Sequence, residues 1–131
     1  MDLSRYHGCF LRSVSTSLEA NGDARVLISL AEGPDTVVVL ELLRVVRLSM
    51  DDGFGDWAGF VDDIKVSELP CRGPWPREAR HLLHHHNNES AMLWVRLIGP
   101  TEIEILAREL VVHPRMSGLV PLPELRHQPI E

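Results

Sequence analysis

Alternation of apolar and polar side chains with a period of two runs through most of the chain, and it predicts strands. "GCFLRSVSTSLE" places Cys9, Leu11, Ser13, Ser15 and Ser17 on one side and Phe10, Arg12, Val14, Thr16 and Leu18 on the other. Either side can be the buried one. Asn21-Gly22 follows, a hairpin signal because both residues tolerate positive φ. "ARVLISLAE" continues with Ala24, Val26, Ile28 and Leu30 in register, and Gly33–Asp35 forms a second turn. "TVVVLELLRVVRLSM" predicts a strand to about Leu42 and a second extended piece through Met50. Leu42, Leu43, Val46 and Leu48 also fit a helix there, but the β-branched residues favour a strand.

"FVDDIKVSEL" alternates only in part and predicts a strand containing Phe60, Ile64 and Val66. The turn-rich "LPCRGPWP" leads into the one helical stretch, "PWPREARHLLHHH", with Pro76 in its first turn and Ala79, Leu82, Leu83 and His86 able to share a face. "AMLWVRLIG" and "TEIEILARELVVH" complete the strands around Gly99-Pro100, with Ile103, Ile105, Ala107 and Leu110 turned inward. The expected fold is α+β and mainly β, a largely antiparallel sheet of about six strands with one accessory helix. Residues 1–113 read as a single β-rich domain. Residues 114–131, rich in proline and without a period, read as an extended or partly disordered tail.

A chain of 131 residues is large enough to bury a core without staples. Cys9 and Cys71 show no ligand spacing and read as buried thiols of a reducing compartment. No signal peptide or membrane span is recognisable, so a cytoplasmic protein is expected. The net charge of −6 is unevenly placed: residues 1–70 hold twelve acids against six bases, and residues 71–131 hold seven against seven. Such a field repels phosphate backbones and attracts basic proteins, which argues against nucleic acid as a direct partner.

The acids concentrate in "SMDDGFGDWAGFVDDI", where Asp51, Asp52, Asp56, Asp62 and Asp63 are interleaved with Phe54, Trp57 and Phe60. Glycines and aromatics stand where a calcium loop needs oxygen ligands, so the stretch is no EF-hand. Neighbouring carboxylates on an extended backbone point to opposite faces, which weakens a paired acid–base reading. A magnesium site in which Asp56, Asp62 and Asp63 meet is a minor reading, and two others stand ahead of it. The aromatics cap the core beneath a solvated loop, or they anchor a partner while the acids steer it.

His81, His84 and His85 have i,i+3 and i,i+4 spacing that can hold a metal ion. They fit better as cations at a helix C-terminus, and the glutamate of an HExxH motif is missing. No nucleophile elbow, phosphate loop or dinucleotide fingerprint is present, so no enzyme and no cofactor are expected.

"YHGCFLRSVSTSLEANGDARVLISL", "TVVVLELLRVVRLSM", "VDDIKVSEL" and "MLWVRLIGPTEIEILARELVVH" together resemble small β-rich immunity proteins of bacterial polymorphic toxin systems. The likeness spans about residues 6–113 and departs at Gly8, where that pattern has aspartate. It implies a non-catalytic binding function in which the chain blocks a toxin domain, one expected to be basic, and it carries over no catalytic residue. The anchors and steering groups would then be Asp51, Asp52, Phe54, Asp56, Trp57, Asp62 and Asp63. The rival readings are an assembly subunit that self-associates through sheet edges and a small metal enzyme built on the histidine cluster.

Overall fold

The computed structural model describes residues 2–53, 55–70, 77 and 91–114. Apart from Arg77, the predicted helix, with His81, His84 and His85, lies outside the described residues, as do Phe54, Cys71 and the tail beyond Pro114. After a single 3-10 turn at Ser4–Tyr6, six strands follow: β1 Phe10–Leu18, β2 Ala24–Glu32, β3 Asp35–Asp51, β4 Asp63–Leu69, β5 Met92–Ile98 and β6 Glu102–Pro114. They form one antiparallel sheet in the order β1-β2-β3-β6-β5-β4. The mainly β, antiparallel architecture expected from the alternation is what the chain adopts. Among the described residues, no helix is long and apolar enough to cross a membrane.

The turns follow from their residues. Gly22 takes φ 90° between β1 and β2. Beside it the Asn21 side-chain Oδ1 accepts the Asp23 N–H at 2.9 Å. Between β2 and β3, Arg12 donates to the Pro34 carbonyl at 3.0 Å and to the Thr36 hydroxyl at 3.1 Å, tying β1 over the turn.

β3 is one strand of 17 residues, where the sequence suggested two pieces or a helix. The break suspected near Leu42 is a local irregularity. Arg44 adopts φ 53°, and the pairing with β6 slips between Val45 and Arg47. Below the irregularity β3 pairs with both β2 and β6; above it, through Asp51, it pairs with β6.

The sheet curls until its two ends meet. Gly8 N–H donates to the Val61 carbonyl at 2.8 Å, Val61 N–H to Cys9 at 2.9 Å, and Leu11 N–H to Gly59 at 2.6 Å. These bonds zip the start of β1 to the segment leading into β4. The strand predicted to run from Phe60 therefore begins at Asp63, because residues 59–61 belong to this seam.

The concave side encloses one core. It contains Val26, Ile28 and Leu30 of β2, Val38, Leu40 and Leu42 of β3, Ile103, Ile105 and Ala107 of β6, and Val95 and Leu97 of β5. Leu3, Tyr6, Cys9, Val61 and Ile64 close it from the seam side. Cys9 is buried as expected, and burial pushes its thiol pKa up, which keeps it protonated and unreactive. On the opposite side of the sheet Leu69, Met92, Trp94 and Leu106 form a second, smaller cluster.

Candidate functional site

The acidic stretch crosses from the end of β3 to the seam and is pinned at both ends. At its start, Gly53 N–H donates to the Thr101 hydroxyl at 3.0 Å. A side chain could not replace the glycine hydrogen there, because a Cβ on Gly53 would lie 2.5 Å from the Pro100 carbonyl oxygen. In the middle, Gly55 turns the chain with φ 91°, and Ala58 N–H reaches back to the Gly55 carbonyl at 3.2 Å. At the end, Gly59 and Val61 are held against β1, and Asp62 N–H donates to Ile98 at 2.8 Å.

This path puts the aromatics together. The rings of Phe10, Trp57 and Phe60 form a triangle with centroid separations of 5.6, 5.5 and 5.6 Å, two of the three contacts edge-to-face. Those separations fall in the attractive range for aromatic pairs. Phe10 and Phe60 are half-buried, whereas Trp57 is 63% exposed. Of the two readings of the aromatics, Phe60 fits the capping one. Trp57 rests on its neighbours but leaves most of its surface uncovered. Alternation alone does not reveal Phe10 as the third member, since its contact depends on the seam.

The acids do not converge. Asp51 and Asp52 are exposed beside the β5–β6 turn, and Asp51 stands directly across from Glu102. Like charges in that position destabilise a sheet. Asp56 is exposed next to Trp57, and Asp62 is exposed beyond the seam. Asp63 turns aside: its Oδ1 lies 2.9 Å from His7 Nε2, and the same nitrogen lies 3.1 Å from the Ile64 N–H. That atom accepts from Ile64 when bare and donates to Asp63 when protonated, so the ring serves one partner or the other. Among the described residues no three carboxylate, imidazole or thiol groups come close enough to hold a metal ion.

Two polar constellations were invisible in the sequence. The first is an open cleft of about 460 Å³ between the ends of β3, β5 and β6, lined by Ser49, Asp51, Trp94, Arg96, Glu102 and Glu104. Trp94 Nε1–H donates to Glu104 at 2.9 Å, and the Arg96 guanidinium lies 3.9 Å from the Trp94 ring centroid. Arg47 Nε approaches Glu104 at 3.8 Å, beyond hydrogen-bond range.

The second is a triad on the convex face. Arg25, only 8% exposed, donates through Nε to Glu41 at 2.8 Å, and His113 Nε2 lies 2.8 Å from the other Glu41 oxygen. Burial alone would raise the Glu41 pKa. The bonds from His113 and Arg25, with their charges, outweigh it, so the carboxyl titrates below the ordinary glutamate range. An ionised carboxylate only accepts, so His113 Nε2 carries the hydrogen.

Comparison with known proteins gives no match: no family model, no curated protein and no solved structure aligns with the chain.

Proposed function

We propose that the chain is a non-catalytic binding protein, an immunity protein acting in the cytoplasm that docks on a basic toxin domain and blocks it. The observation that carries this reading is Trp57, an exposed tryptophan held in place by Phe10 and Phe60 on a loop pinned at both ends. A pre-positioned aromatic loses little conformational entropy on binding, and tryptophan is the residue most enriched among binding hot spots. The exposed Asp51, Asp52, Asp56 and Asp62 surround the loop with charge of one sign. Such charge accelerates approach of a basic partner and repels nucleic acid. Asp63 contributes less to this field, since it faces His7.

The test begins with capture of the partner from native lysate by the full chain at low and high salt. The captured protein is then titrated against the wild type and variants. A basic partner is expected, with association slowed by salt. Trp57→Ala should weaken its binding by about 2 kcal/mol or more, roughly 30-fold. Asp52→Asn, Asp56→Asn and Asp62→Asn should each cost under about 1 kcal/mol, mostly in the association rate. If Trp57→Ala binds as tightly as the wild type, the anchor assignment is lost. A captured partner that is acidic, or indifferent to salt, removes the steering argument.

A further inference from the structure

We propose that the open edge of β1, residues Ser13–Leu18, is a docking strip for a second copy of this chain, which pairs with it antiparallel across a two-fold axis at Thr16. The inference does not rest on the function proposed above. It begins with the seam, which zips only the start of β1. Leu11 is the last β1 residue bonded to the 59–61 segment, and beyond it no strand pairs with the outer edge of β1 among the described residues.

Which backbone groups lie open follows from the fold. In a strand, the face a side chain takes and the edge its N–H and C=O point to are locked together. Cys9 and Leu11 face the core, and they bond outward to the seam. A bulge between Leu11 and Ser13 shifts the parity, so Val14, Thr16 and Leu18, opposite Ile28, Val26 and Ala24, become the inward residues. Their N–H and C=O groups point away from β2, to a side where none of the described strands pairs with them.

Sheet edges are normally guarded by charge, proline or a bulge. The β4 edge carries Asp63, Lys65 and Glu68. Ser13–Leu18 carries no charge and no proline, and the bulge lies before it. At its end stands Leu18, 76% exposed, the most exposed large apolar side chain described. On a chain of net charge −6, a neutral strip is where a second acidic copy can approach without repulsion.

A two-fold axis fixes the register. Only the arrangement centred on Thr16 uses all three open residues, pairing Thr16 with Thr16 and Val14 with Leu18 of the other copy. Each pair exchanges both of its hydrogen bonds. On the concave side the exposed Leu18 packs on the half-buried Val14 of the other copy, and on the convex side Ser15 stands opposite Ser17. Phe10 lies six residues from the axis, within the seam. At ~3.3 Å per residue the two Trp57 patches lie at opposite ends of the joined strands, roughly 40 Å apart.

Sedimentation of the full chain across the micromolar range is expected to show a monomer–dimer equilibrium, weakened at least ~10-fold by Leu18→Lys, which buries a charge in the strip. Leu18 is exposed, so this variant keeps the fold. Register is read separately in a Cys71→Ser background. A mixture of Ser15→Cys and Ser17→Cys chains should form a disulfide-linked dimer under mild oxidation, while neither alone does. A chain that stays monomeric throughout, a dimer that Leu18→Lys leaves intact, or the absence of the mixed cross-link would overturn the proposal.

Discussion

Glu41→Gln is expected to unfold at a markedly lower urea concentration than the wild type, a loss of about 3 kcal/mol at neutral pH. The reason is the neighbour it leaves behind. Arg25 is almost fully buried, and its Nε bonds to Glu41. Removing one member of a buried ion pair leaves the other charge uncompensated in a poor solvent, which costs far more than the pair itself contributes. Adding Arg25→Met should therefore recover much of the loss, because it removes the stranded charge and keeps the volume. If the double variant is less stable than Glu41→Gln, the stranded-charge account is wrong. The wild type carries the corresponding pH dependence. The folded pKa of Glu41 is depressed, so its contribution is complete above the ordinary glutamate pKa and is lost as pH falls through the lower folded value. In Glu41→Gln this part of the acid-side slope should vanish. An unchanged slope would assign it to other carboxylates.

Gly99→Ala is expected to be the more damaging of the glycine changes, at about 3 kcal/mol, and to weaken partner binding as well. A Cβ at Gly99 would run into the Phe60 carbonyl group, so backbone must move away from backbone. Inserted methyl groups in tight places cost ~1–3 kcal/mol even where side chains can yield, and here none can. The displaced segment is the seam, and the ring of Phe60 that supports Trp57 moves with it. Gly55→Ala offers the comparison. Gly55 has open space around it but φ 91°, so only the backbone conformation is penalised, by about 1 kcal/mol. Should Gly55→Ala prove the worse of the two, the close approach at Gly99 is not what holds the seam.

Most of the fold was legible because period-two burial leaves its trace in residue order. β2 alternates cleanly, with Val26, Ile28 and Leu30 inward as the pattern selects, and Ile103, Ile105 and Ala107 of β6 are inward likewise, whereas Met92, Trp94 and Leu106 are buried on the opposite face. Leu110 is packed only partly, toward the end of the pairing. The undecided face of β1 has a physical cause. The bulge after Leu11 moves the core side from odd to even positions, so neither alternating set is entirely buried. Similarly, the partial alternation around Phe60 arises because residues 59–61 pair with β1 while the strand proper starts later.

The loop was legible as composition but not as geometry. No pattern reveals that Asp63 turns to His7, that Gly53 packs on Pro100, or that Phe10 completes the aromatic triangle. The Arg25–Glu41–His113 triad was beyond reach for the same reason. Its members are separated by 16 and 72 positions, and each alone is an ordinary polar residue on a strand.

The strand order has a consequence for how the chain is assembled as it is made. β6, which joins β3 to β5, is the last of the described strands to be synthesised. Until residues 102–114 have emerged, β1–β2–β3 can form one meander and β4–β5 one antiparallel pair, linked through the 59–61 seam alone. During that interval β3 and β5 each present an unpaired edge, the condition under which nascent sheets pair with wrong partners. Translation that pauses just before Glu102 would lengthen this exposed stage, and rapid passage through the final strand would shorten it. The strand that unites the sheet is thus also the one that ends its vulnerable period.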